Sequence, residues 1–239
     1  MDEFWQALLP ASARPDGPPY RDRYGAAMPD GRVLVQPLRV LPREPDTAVA
    51  SLIATQMAFS VEHALAAWIA EIAARHRPEV IVGVPTLGLL FARAAAERLG
   101  FANWVALGLS RKFWYDERLS EPVRSITSPD QEKRLWLDPR LAGRLAGRRI
   151  VLIDDVISNG TSAGAALALL ARAGHRPQAL VVAMIQGNRW RARGLPVPVE
   201  GVFATPLFAR DADGWVPRAE TAVSELCPLF AHSPTAEVS

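Results

Sequence analysis

Asp154 and Asp155 stand side by side where an apolar run gives way to small polar residues, in the stretch Arg148 to Gly164 (RRIVLIDDVISNGTSAG). Two adjacent carboxylates at the end of a strand can accept hydrogen bonds from a vicinal diol. They can also hold Mg²⁺ directly or through water. The next residues, Ser158, Asn159, Gly160, Thr161 and Ser162, read as a short loop entering a helix. Such a loop offers unpaired backbone N–H groups, the positive end of the helix dipole and three hydroxyls, a combination suited to a phosphate monoester. Gly160 lets the backbone approach closely and take whatever φ the turn needs. The spacing fits a phosphorylated sugar, with its phosphate in the loop and its diol on the aspartates.

Other readings of the same residues are weaker. A strand ending in two aspartates also occurs opposite a nucleotide-binding G-x-x-x-x-G-K-[ST] loop, but here Gly83 and Gly88 carry that spacing with Leu89 where the lysine belongs. The acidic cluster of a receiver domain sits near a chain start and is not followed by Asn-Gly-Thr-Ser. A plain core strand with a capped helix is the third reading. It leaves two neighbouring carboxylates at a strand end without ligand or partner, which is costly.

Two further segments offer groups for an anion. In Val82 to Gly88 (VGVPTLG) a strand turns at Pro85 into a helix, and the amides of Thr86, Leu87 and Gly88 can form a small nest. Alone this is a common strand–proline–helix connection. Ser110-Arg111-Lys112 opens a long polar loop. Lys112 is a compact point charge and Arg111 a planar fork, and either can meet an anionic group or remain a solvated basic pair.

The elements that must position these residues can be read from periodicity. Glu79 to Val84, Trp104 to Gly108, Arg149 to Val156 and Gln178 to Ile185 are short β-branched or apolar runs of the kind found in buried parallel strands. Thr86 to Leu99 and Thr161 to Ala173 have helical spacing and end at Gly100 and Gly174. Thr47 to His76 reads as one long amphipathic helix, stopped by Pro78. Lys133 to Asp138 alternates as a strand. Arg32 to Leu41 reads as an edge strand, because Pro37 interrupts it. Residues 1–30 read as irregular. The alternation predicts an α/β fold with a mostly parallel twisted sheet flanked by helices, right-handed crossovers and ligands beyond the carboxyl ends of the strands.

Composition excludes several classes. The chain has 239 residues, 49% of them hydrophobic, enough for a sizeable core. A net charge of +2 does not suit a protein that coats nucleic acid. The one cysteine, Cys227, rules out a disulfide framework and reads as a small buried residue. His63, His76, His175 and His232 are scattered without metal-ligand spacing. There is neither an apolar run of membrane-spanning length nor a recognisable export signal, so no membrane partner and a cytoplasmic location are expected.

The segment through Asp154, Asp155 and Ser158 to Ser162 closely resembles the signature of type I phosphoribosyltransferases. The resemblance extends over residues 47–190. It implies that Asp154 and Asp155 hold the ribose hydroxyls of 5-phosphoribosyl-1-pyrophosphate (PRPP) and a Mg²⁺ ion, and that Ser158, Asn159, Gly160, Thr161 and Ser162 hold its 5′-phosphate. Thr86, Leu87 and Gly88 fall where the family places its pyrophosphate loop. Arg111 and Lys112 match the basic pair that opens a mobile lid in the adenine and xanthine members; Tyr115 and Ser125 to Ser128 are candidate lid residues. In Ile185 to Arg193 (IQGNRWRAR), Trp190 could stack on a purine and Arg189 could bond its edge, or the segment is a basic surface turn.

The resemblance further implies PRPP as co-substrate, a purine or related base as acceptor, and a homodimer. The expected organisation is a core over 46–195, with segments 1–45 and 196–239 forming a variable hood. Ser158 stands where hypoxanthine/guanine enzymes carry an acidic residue. Asn159-Gly160 is like the xanthine branch and Asp-Asp-Val-Ile like the orotate branch, so the motif does not choose the base. A non-catalytic regulator using the same pocket is the alternative expectation.

Overall fold

The computed structural model describes residues 6–123 and 133–223. Ser125 to Ser128, Cys227 and His232 therefore lie outside the described residues. In chain order, β1 (Leu8–Leu9), β2 (Arg23–Ala27), β3 (Val33–Leu41) and β4 (Glu44–Ala50) precede the first helix, α1 (Phe59–Arg75). Then come β5 (Val80–Gly83), α2 (Gly88–Arg98), β6 (Val105–Ala106), β7 (Ser120–Val123), β8 (Lys133–Trp136) and the short α3 (Pro139–Ala142). The chain continues with β9 (Ile150–Ile157), α4 (Thr161–Arg172), β10 (Ala179–Gln186), β11 (Val199–Thr205), β12 (Leu207–Asp211) and β13 (Gly214–Pro217).

The centre is a parallel sheet in the order β11-β10-β9-β5-β6. Its strands are mainly apolar because both faces are covered. Side chains alternate between the two covers. Val151, Ile153, Val181 and Ala183 join the core under α1 and α2, whereas Ile150, Leu152, Leu180 and Val182 join the core under α4. Helix α1 buries Val61, Leu65, Ile69 and Ile72 on one face, and the β7–β8 hairpin packs against α4. At the far end of α1, Arg75 and His76 both contact Glu200 of β11, at 2.9 and 2.7 Å. The Arg75 cation in the last turn complements the helix dipole.

From β5 the chain runs outward to β6, and from β9 it runs outward the other way to β10 and β11. The order reverses between β5 and β9. In a doubly wound sheet, that is where loops at the carboxyl ends diverge and leave a crevice. The loops leaving β5 and β9 are 84–87 and 158–160.

A second sheet is built from both ends of the described chain, in the order β1-β3-β4-β12-β13 with β2 also on β3. It differs from the sequence expectation in three ways. The helix expected from Thr47 begins only at Phe59, and 44–50 is strand β4, paired with β3 and β12. There Ala48 and Ala50 are buried with Phe208 and Trp215, so tertiary pairing overrides alanine's helix preference. Strand β3 is interior rather than an edge: Pro37 sits where its partner changes from β2 (Arg23↔Pro37) to β4 (Leu38↔Ala50). Residues 1–30, expected to be irregular, contribute β1 and β2, both paired with β3.

Candidate active site

Strand β9 carries the two aspartates to the carboxyl edge of the sheet. Asp154 is only 6% exposed, and Asp155 is partly exposed beside it. The Asp155 amide donates to Asp154 Oδ1 at 2.9 Å. Burial, followed by the negative charge of Asp155, raises the Asp154 carboxyl well above the usual carboxylate range. Burial also raises Asp155. Both groups are thus poised to gain from a hydrogen-bond donor or a cation.

The turn into α2 packs directly on Asp154. A Cβ on Gly88 would lie 2.6 Å from Asp154 Oδ1 and 2.7 Å from Asp154 Cα. Only a glycine lets the first turn of α2 approach so closely. Thr86 is exposed beside it, and the Pro85–Thr86 peptide is cis. Gly88 thus abuts Asp154, and Thr86 and Leu87 lie on the turn that precedes it.

After β9 the chain turns at Gly160, whose φ of +75° is left-handed and which forms the N-cap of α4. Asn159 Oδ1 accepts from the Thr161 amide at 3.0 Å, closing the loop on itself. Val156 to Ala163 line a small cavity of about 130 Å³ at this helix entrance. Ser158, Asn159, Gly160, Thr161 and Ser162 all contribute to it.

The basic pair lies apart. Arg111 and Lys112 are exposed on the loop that leaves β6, which starts at the same carboxyl edge through the Leu107 N–H to Gly83 carbonyl bond of 3.1 Å. Arg111 pairs with Glu117 at 2.8 Å and lies over the Trp136 ring. The base of this loop is closed by reciprocal Gly108–Trp136 backbone bonds of 2.9 Å. Phe113 is 95% exposed and stands edge-on to the Trp114 ring. Trp114 donates to Asp138 at 3.1 Å, and Tyr115 lies against Trp136.

The segment after β10 is used otherwise than the sequence suggests. Arg189 makes a two-pronged ion pair with Glu44, at 2.7 and 2.6 Å, tying the β3–β4 corner of the hood to the core. Trp190 packs against the core beneath α4 and against Gly160. Arg193 reaches back onto the loop at Asn159 and Thr161. Sequence reasoning missed Glu44 and this contact of Arg193. The basic run was visible, but the partners lie 145 and 34 residues away, and no local pattern links them.

Among the described residues, no cluster of three or more His, Cys, Asp or Glu could cage a metal alone. The oxygen donors of Asp154 and Asp155 suit Mg²⁺, which typically takes one or two carboxylates and completes its shell from substrate phosphates and water. No described helix is long and apolar enough to cross a membrane.

Comparison with known proteins adds three findings. Residues 52–193, more than half of the chain, match the family described as phosphoribosyl transferase domain. Over 126 residues, 52% of the chain, it is 34% identical to the adenine phosphoribosyltransferases of Mycobacterium tuberculosis (strain CDC 1551 / Oshkosh) and Mycobacterium bovis (strain ATCC BAA-935 / AF2122/97). The match spans 56% and 53% of those proteins, about half their length. The fold is similar to that of adenine phosphoribosyltransferase from Rhodothermus marinus DSM 4252, with a TM-score of 0.54 at 20% identity over 70% of this chain and 93% of that one.

Proposed function

The chain belongs to the phosphoribosyl transferase domain family, and on that premise we propose that it transfers the 5-phosphoribosyl group of PRPP to a purine base, with adenine the first base to test. The observation that carries the reading is the junction of β9 and α4. Two desolvated carboxyls at 154 and 155 stand one turn from a cavity of about 130 Å³ lined by Ser158 to Ser162. That is the arrangement a ribose diol and its 5′-phosphate require.

In this reading Asp154 and Asp155 accept hydrogen bonds from the 2′- and 3′-hydroxyls. The Ser158–Ser162 loop holds the 5′-phosphate, and the turn at Thr86, Leu87 and Gly88 faces the pyrophosphate. A base nitrogen bonds to C1 as the C1–oxygen bond to pyrophosphate breaks, with inversion and cationic character on the sugar, as in other glycosyl chemistry. The carboxylates below the ring favour that charge. Lys112 and Arg111, released from Glu117, neutralise the departing pyrophosphate. Asp154 and Asp155 would hold Mg²⁺ together with substrate oxygens, and when bound it supplies charge neutralisation at the leaving group.

The test is pyrophosphate release from PRPP and Mg²⁺ across adenine, hypoxanthine, guanine, xanthine and orotate. Turnover with one purine is expected. Lys112→Ala should lower kcat at least 10-fold while changing ribose 5-phosphate affinity less than about threefold, the pattern of an interaction made in the transition state. Equal losses in both would remove the leaving-group role. Tight PRPP binding with no turnover on any base would identify a regulator instead.

A further inference from the structure

The turn after β10 returns one side chain to the phosphate loop. Residues Arg189–Arg193 form a 3-10 helix closed by Gly194, at a left-handed φ of 55°. From its last position Arg193 donates Nε–H to the Asn159 carbonyl at 2.7 Å and Nη2–H to Thr161 Oγ1 at 2.7 Å. Its methylenes cross the loop's glycine: a Cβ on Gly160 would come within 3.2 Å of Arg193 Cδ. The side chain thus spans the loop from Asn159 to Thr161.

These contacts decide what Thr161 can offer an anion. Its amide is already given to Asn159 Oδ1 at 3.0 Å. Its hydroxyl has one proton and two lone pairs. Arginine can only donate, so Arg193 occupies a lone pair and leaves the proton for an acceptor in the cavity that Thr161 lines. The guanidinium fork meets two acceptors in fixed geometry, which an ammonium does not.

From this we infer that Arg193 is a positioning residue for the phosphate loop: it fixes the Asn159 carbonyl and turns the Thr161 hydroxyl proton toward the bound phosphoryl group. The inference rests on the reading that Ser158–Ser162 holds a sugar phosphate. Arg193 acts through Thr161 and is not itself in contact with the reacting atoms.

The experiment measures ribose 5-phosphate binding by calorimetry and PRPP saturation kinetics with the accepted base. It uses the wild type, Arg193→Met, Arg193→Lys, Thr161→Val and the double variant. Arg193→Met should weaken ribose 5-phosphate about 10-fold and raise the PRPP KM by a similar factor, with kcat changed less than about twofold. Arg193→Lys should recover part of the loss. The double variant should lose less than the sum of the two single losses, because only the Asn159 contact of Arg193 acts independently of the Thr161 hydroxyl. Arg193 is exposed, so the unliganded Tm should move by no more than about 2 °C. Wild-type affinity and KM in Arg193→Met, or losses that add to those of Thr161→Val, overturn the inference alone. A wild-type chain that does not bind ribose 5-phosphate overturns the phosphate reading and this inference with it.

Discussion

Asp154 shows how a single group is held against its own preference. Buried at the sheet edge beside Asp155, its carboxyl is raised well above the ordinary range. Folding therefore favours the protonated form. The stability linked to Asp154 is fully present below the ordinary carboxylate range and is lost as pH rises through the raised value. The unliganded protein should show a Tm that falls across that interval, and Asp154→Asn should flatten the fall and raise the Tm at neutral pH. The same substitution should abolish measurable ribose 5-phosphate binding, because an amide is a poorer acceptor for the diol. A variant stabilised at neutral pH and still binding the sugar would separate the strain from the function. Such a trade of stability for activity is common where a charged site is desolvated.

Elements are fitted to one another at two places that matter for the site. The first turn of α2 meets β9 across Gly88. Gly88→Ala would press a methyl carbon onto the Asp154 backbone at 2.7 Å, so backbone rather than a flexible side chain must yield. A cost of about 1–3 kcal/mol is expected in urea unfolding, with loss of PRPP turnover as the aspartates shift. The other place is the Glu44–Arg189 pair between the β3–β4 corner and the 3-10 turn after β10. Both side chains remain more than one third exposed, so solvent screens the pair. A double-mutant cycle with Glu44→Ala and Arg189→Ala should give a coupling of only about 0.2–1 kcal/mol. The hydrogen bond from Arg189 lowers the Glu44 pKa. That coupling should therefore persist above the ordinary carboxylate range and vanish as pH falls through the lowered value. A coupling unchanged in acid would assign the contact to packing instead.

Across the whole molecule, the hood is closed by segments from opposite ends of the described chain. Strand β4 is flanked by β3 and β12, and Ala48, Ala50, Phe208 and Trp215 make its small core. Ending the chain after Thr205 would strip β12 and β13, bare the edge of β4 and remove Phe208 and Trp215. An uncovered edge strand beside exposed apolar surface promotes association. The truncated chain should elute as aggregate on size exclusion, or fail to accumulate as soluble protein. A monodisperse truncated form would show that the parallel sheet folds without its hood.

The elements legible in sequence were those whose signal is local. Strands β5, β9 and β10 and helices α2 and α4 follow from period and from terminating glycines, and the placement of Asp154 to Ser162 follows because they lie on one strand–loop–helix passage. Contiguous backbone decides such an arrangement through dihedral preferences and near-neighbour hydrogen bonds, and these are properties of residue type. Tertiary structure alone decided the rest. Residues 44–50 became a strand because β3 and β12 were there to pair with it. Arg189 turned away to Glu44, Arg193 settled on Asn159 and Thr161, and Gly88 met Asp154. Each of these depends on which distant segment folding brings into contact, and that choice depends on the packing of the whole chain, which no single stretch records.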